Sequence, residues 1–142
     1  MTIPFKWDNE ARTILYVDRT QKYDWDEFDR SVDETYAMIT SVTHTVDMVI
    51  RIDSTTPIPA NPMPHMKRMF QTKPNNLRFI IAIGAERTAY NFQTVMIEMM
   101  MRVFSSVAKQ MRFASSLEDA RALIARQPAP SAPVIAEAAQ QT

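Results

Sequence analysis

Apolar positions recur along this chain with two periods, near two and near 3.6, and the alternation between them predicts the elements. Thr13 to Asp18 reads Thr-Ile-Leu-Tyr-Val-Asp, β-branched and aromatic, which predicts a strand. A short edge strand is expected before it, near Phe5 to Asn9. Asp24 precedes Trp25 and is followed three residues on by Glu27, the layout of a capping box. The helix that starts there spaces Trp25, Phe28, Val32, Tyr36 and Ile39 by three and four, with Asp26, Arg30, Asp33 and Glu34 opposite. One apolar face is therefore buried, and the helix should end near Ser41.

Val46 to Asp53 follows as a nearly continuous apolar run, the pattern of a strand covered on both faces. Prolines at 57, 59, 62 and 64 remove amide donors and push preceding residues out of the α region. Ser54 to Pro62 must then be a loop, and a short helix can open at Pro62 or Pro64. It would turn Met63, Met66, Met69 and Phe70 inward and break at Lys73-Pro74. Leu77 to Gly84 is the strongest strand pattern and is expected at the centre of the sheet. A long helix is predicted over about Thr88 to Val107, then a strand nearer an edge over Lys109 to Ala114. Ser115 with Glu118 forms a second box before a helix whose apolar face is Leu117, Ala120, Leu123 and Ile124. The order βαβαβαβα predicts an α/β fold, a single-layer, mainly parallel sheet with alternating helices and right-handed crossovers.

The chain has 142 residues, enough for one domain, expected over 1–126. From 127 to 142 it becomes rich in Pro and Ala with few charges, which predicts a disordered tail. Sixteen Lys and Arg balance sixteen Asp and Glu, so there is no basic excess to draw nucleic acid. Cys is absent and Gly occurs once. This excludes thiolate zinc sites and cysteine nucleophiles, and a single Gly cannot build a P-loop or dinucleotide fingerprint. No apolar run reaches the length of a membrane span and the N-terminus lacks a signal-peptide layout. A cytoplasmic protein that is not an integral membrane protein is expected.

The predicted third helix is unusually apolar. At 100° per residue, Val95, Met99, Phe92, Val103, Met96, Val107, Met100, Phe104, Ile97, Tyr90 and Met101 span roughly 240°, whereas a helix on one side of a sheet needs about 100°. Neighbouring helices can cover the excess. A second copy of the chain can cover it too, in a homodimer meeting through Ile97, Met100, Met101 and Phe104, where clustered Met would make the surface adaptable. A lipid-like apolar ligand between the two Met-bearing helices is a further expectation.

Ligands of open α/β sheets settle outside the carboxyl ends of the strands, at a switch in strand order. That rule points to Arg19 and Thr20, to Ser54 through Asn61, and to Ala85 through Tyr90. Of these, Ser54, Thr55, Asn61, Arg87 and Thr88 are the candidates for a ligand or switch loop, Arg87 and Thr88 because an anion is favoured beside a helix N-terminus. The two histidines, His44 and His65, share no i, i+4 face with a carboxylate or with each other, so zinc or a His-based catalytic pair is not expected. Asp24, Asp26, Glu27 and Asp29 are explained by capping and solvation, since no EF-hand spacing follows.

Ile14-Leu15-Tyr16-Val17-Asp18 followed by Trp25-Asp26-Glu27-Phe28, the Val46 to Asp53 strand, Pro74-Asn75-Asn76-Leu77 before the Gly84-ending strand, and Leu117-Glu118-Asp119-Ala120-Arg121-Ala122-Leu123-Ile124 together resemble the STAS-like family. This is the fold of bacterial anti-sigma factor antagonists, grouped with CRAL-TRIO-type lipid carriers. The resemblance spans roughly residues 12 to 126. It implies regulation by protein contact, with no metal, cofactor or catalysis. It also implies a phosphorylated Ser or Thr at the start of the second helix, in a pattern like Asp-Ser-Ser-Gly. Asp53-Ser54-Thr55-Thr56 is similar but lacks the Gly and directly follows the strand. By element order the acceptor falls near Ala60-Asn61-Pro62, which has no hydroxyl. The two functional expectations are thus a protein-contact module that forms a homodimer through the apolar third helix, and a small carrier of an apolar or anionic ligand.

Overall fold

A computed structural model describes residues 3–53, 56–84 and 110–127. In chain order the elements are β1 (Phe5–Trp7), β2 (Ile14–Arg19), α1 (Trp25–Thr40), β3 (Val46–Ile52), α2 (Pro62–Gln71), β4 (Leu77–Ile83), β5 (Met111–Ala114) and α3 (Leu117–Arg126). The fold is α/β, a five-strand mixed sheet with three helices among the described residues. Strand order is β1-β2-β3-β4-β5. β1 pairs antiparallel with β2, and the β2–β3, β3–β4 and β4–β5 pairs are parallel.

Alternation along the strands sends side chains to two separate cores. Leu15, Val17, Met48, Ile50, Ile80 and Met111 face α1 and α2, where they meet Phe28, Val32, Tyr36, Ile39 and Met69. Ile14, Val49, Ile81 and Ile83 face the other way, onto Ala120, Leu117, Leu123 and Ile124 of α3. β3 therefore carries apolar side chains on both faces, as its continuous apolar run requires. It is also the middle strand, whereas β4, expected at the centre, is interior but one place off.

The box at Asp24 forms as its spacing implies: the Asp24 carboxylate accepts the Glu27 amide at 2.8 Å and Glu27 reaches back to the Asp24 amide at 3.3 Å. The second cap shifts by one. Ser116, not Ser115, caps α3, its hydroxyl accepting the Asp119 amide at 3.1 Å. A Ser-Ser pair offers the same hydroxyl to either register, and the docking of Leu117 and Ala120 on the sheet selects one. The predicted helix over Thr88 to Val107 and the tail beyond Gln127 lie outside the described residues.

α3 is also tied to the loop after β1, where Arg121 donates both Nε and Nη2 to the Asp8 carboxylate at 2.8 and 2.7 Å. These hydrogen bonds hold the Asp8 carboxyl below the ordinary carboxylate range, against the opposing effect of burial. A depressed folded-state pKa contributes stability above the unfolded value, and that contribution is lost as pH falls through the folded one. Asp8→Asn is therefore expected to be less stable than wild type at neutral pH. The gap should close as the pH falls through the ordinary carboxylate range and then through the lower folded-state value, read by urea unfolding at a series of pH values. A gap independent of pH would show that the pair does not act through the Asp8 charge.

Candidate functional site

Two charged residues are buried among the described residues, Arg19 and Asp47. They are treated very differently. Asp47 is matched on every side: its Oδ1 accepts Arg78 Nε at 3.0 Å and the Phe79 amide at 3.0 Å, and its Oδ2 accepts Arg78 Nη2 at 2.8 Å. This is a bidentate pair of the kind that makes a buried carboxylate tolerable.

Arg19 has no such match. It is the last residue of β2, and in the Leu15, Val17, Arg19 alternation it takes an inward position, leaving 8% of the residue exposed. Its Nε is buried without a hydrogen-bond partner. Nη2 reaches only the Met69 thioether, at 3.9 Å, and the guanidinium carbon stands 4.4 Å from the centre of the Phe28 ring. Burial lowers the Arg19 pKa from the ordinary arginine value, with Tyr23 and Tyr36 acting weakly the other way. Burial in turn pushes both phenols up, so neither supplies a negative charge at neutral pH. A buried guanidinium with these two contacts and no carboxylate among the described residues is an energetically incomplete arrangement.

The surroundings are held firmly. Phe28 is enclosed by Tyr23, ring centres 6.0 Å apart, and by the edge of Trp25 at 5.1 Å. Trp25 stacks on His65 of α2 at 4.4 Å with planes 4° apart and donates Nε1–H to the Ala60 carbonyl at 2.5 Å. His65 Nδ1 lies 3.0 Å from Asp29 on α1, and Arg68 donates to Asp33 at 2.7 Å. Tyr36 donates its hydroxyl to the Met69 carbonyl at 2.7 Å. On the strand side, Thr20 donates its amide and its hydroxyl to Asp18, and Thr56 donates its hydroxyl to the Thr20 carbonyl at 2.6 Å. The loops after β2 and β3 and the helices α1 and α2 thus converge around one cation at the carboxyl ends of the strands.

Of the five candidates for a ligand or switch loop, Asn61 is the one described. It precedes α2 in a left-handed conformation, φ 58°, without a side-chain cap bond, and it forms no hydroxyl-bearing switch position. Ser54, Thr55, Arg87 and Thr88, and the contact-face residues Ile97, Met100, Met101 and Phe104, lie outside the described residues. The sheet gives no reversal point at which a crevice would open, since the described strands follow one another in sequence order; the site depends on Arg19 instead of on a switch in strand order.

The His65–Asp29 pair was invisible to spacing because its members sit on different helices. No group of three or more His, Cys, Asp or Glu that could hold a metal is found among the described residues, and no described helix is long and apolar enough to cross a membrane. A concavity of about 280 Å³ lies elsewhere, between Ile3, Phe5 and the Glu27, Arg30 and Glu34 side of α1, and is lined by charges of both signs. Comparison with family models, with curated proteins and with solved structures finds no match.

Proposed function

We propose that this protein is a small binding module that takes up an anionic ligand at the carboxyl end of β2, with Arg19 as the residue that holds it. The observation that carries the reading is the buried guanidinium whose Nε has no partner, in contrast to the buried carboxylate at the other end of the same strands, Asp47, which is fully paired. A folded chain that satisfies one buried charge and leaves the other unmatched would gain from a counter-charge supplied from outside. In such a site a guanidinium is worth far more to an anion than in water, because the low local dielectric strengthens the pair and the planar fork matches a carboxylate or phosphate edge.

Of the two functions expected from sequence, this is the carrier. The homodimeric contact module rests on Ile97, Met100, Met101 and Phe104 and stays a separate proposal. The binding reading requires no catalysis.

The test is linkage. Anion binding to the folded state alone raises stability by about 2.7 kcal/mol at a hundredfold excess over Kd. Urea unfolding of the full chain at constant ionic strength, with chloride replaced stepwise by acetate or phosphate, is expected to show a saturating gain that Arg19→Met abolishes. Native mass spectrometry of freshly purified protein would reveal a ligand carried through purification. A stability that depends on ionic strength but not on the identity of the anion overturns the proposal.

A further inference from the structure

We infer that α2 is a lid over Arg19, which parts from α1 while α1 and the sheet stay folded, and that Trp25 and His65 form its latch. That the lid admits a ligand rests on the anion-site reading above; that it opens does not.

Arg19 is 8% exposed, so an anion reaches the guanidinium when part of its cover moves. Among the described residues that cover includes Phe28 of α1 over the guanidinium carbon and the Met69 sulfur of α2 at Nη2. The two helices are anchored unequally. α1 buries six of its sixteen residues, among them Phe28, Val32, Tyr36 and Ile39, and the Asp24–Glu27 box closes its first turn. It cannot leave the sheet without opening the core.

α2 has ten residues and buries two of them, Pro62 and Met69. It is entered through Asn61, which is left-handed and makes no side-chain cap bond, and its first turn carries no acid. It therefore lacks both the stabilisation of a capped end and that of an anion at the helix dipole. A helix this short is marginal without packing. An element with few buried side chains opens at a lower free energy than the whole domain, and lids are drawn from such elements.

The closed position is nonetheless well defined, by ties that run from α2 and the loop before it to α1. Trp25 lies flat on His65 and donates to the Ala60 carbonyl, His65 Nδ1 meets Asp29, and Arg68 donates to Asp33. The His65–Asp29 and Arg68–Asp33 pairs are partly exposed, so water can replace their bonds as they break and each contributes little. Met69 gives up a sulfur contact at 3.9 Å, and its flexible thioether chain repacks readily. These ties fix one position without holding it strongly, which is what a latch requires.

The chain has no Cys, so single thiols report opening without background. Met69→Cys on α2, Val32→Cys on α1 and Ala120→Cys on α3, all at buried positions, are each exposed as the full chain to an excess of a small thiol reagent. Urea is varied from zero to just below the unfolding transition. The Met69→Cys thiol is expected to react at least about tenfold faster than the other two, at a rate nearly independent of urea, while theirs climb steeply with urea as global unfolding requires. Adding His65→Ala should speed the Met69→Cys reaction by about fivefold and keep its flat urea dependence; an unchanged rate overturns the latch. Native-state hydrogen exchange of the wild type supplies the second measurement, in which α2 amides should exchange through an opening that urea barely affects. A Met69→Cys thiol that reacts at the rate and with the urea dependence of Val32→Cys overturns the lid. So do wild-type α2 amides that exchange by global unfolding alone, since the cysteine itself would then have loosened the helix.

The anion enters as a separate arm. Replacing chloride by acetate or phosphate at constant ionic strength is expected to raise the Met69→Cys rate to a plateau, because a ligand draws the population toward the form it binds, and to have no effect once Arg19→Met is added. A lid that opens without any anion effect overturns the anion-site reading and leaves the lid standing. An anion-dependent gain in stability with α2 opening only by global unfolding overturns the lid and leaves the site.

Discussion

Gly84→Ala is expected to destabilise the protein by about 3 kcal/mol, a large part of the 5–15 kcal/mol that holds a typical domain together. Two effects add at this position. Gly84 directly follows β4 with φ +88°, in the region where a side chain costs about 1–2 kcal/mol. A Cβ there would also be driven into the carbonyl oxygen of Ile52, the last residue of β3. That neighbour is backbone in a paired strand and cannot swing aside as a flexible side chain would, so the ends of β3 and β4 must part. The chain's one glycine thus sits where neither its φ nor its surroundings admit another residue. Urea unfolding measures the loss. A change of less than about 1 kcal/mol, within the range of an ordinary surface substitution, would mean that the strand ends relax freely and that the turn is not held as described.

Arg19→Met carries the opposite sign. Removing the guanidinium gives up a cation–π contact worth about 0.5–2 kcal/mol and a weak contact to the Met69 sulfur. It also removes the penalty of enclosing an ion without a counter-charge, several kcal/mol even after relaxation. Met keeps an unbranched stem of similar length for the contact with Phe28. The ligand-free variant is therefore expected to be more stable than wild type by about 1–3 kcal/mol, measured by urea unfolding in a buffer of weakly coordinating anions. Adding a bound anion should reverse the order, because only wild type gains by linkage. A ligand-free variant that is less stable than wild type would show that Arg19 is already satisfied in the free protein, and the binding proposal would fall with it. Stability sacrificed at one buried position for the sake of a ligand is a common pattern at functional sites.

The sequence carried the described elements well because each is written in local chemistry. Periods of two and of 3.6, the Asp24–Glu27 box and the Pro-rich stretch before α2 act within a few residues, so they can be read without the fold. Boundaries were less legible, and one of them mattered. Ending the second strand at Asp18 leaves Arg19 in a loop among other residues worth watching. Extending it by one residue, as the structure does, turns Arg19 to the buried face, since neighbouring strand residues point to opposite sides. Nothing local distinguishes the two endings; the pairing of Arg19 with Ile52 on β3 decides it.

By itself the sequence determined that this is an α/β chain, that α1 has one apolar face and that the third strand is buried on both sides. It also determined that these 142 residues contain no thiolate and no glycine-rich P-loop or dinucleotide fingerprint. Those follow from which residues are present and how they are spaced. Only the tertiary structure decided the strand order, the division of the helices between the two faces, the meeting of His65 with Asp29 across 36 residues, and the enclosure of Arg19 without a described acid where Asp47, at the other end of the strands, has Arg78. These depend on packing between segments remote in the chain. Whether a charge is costly is set by what surrounds it, and no spacing rule along the chain records that.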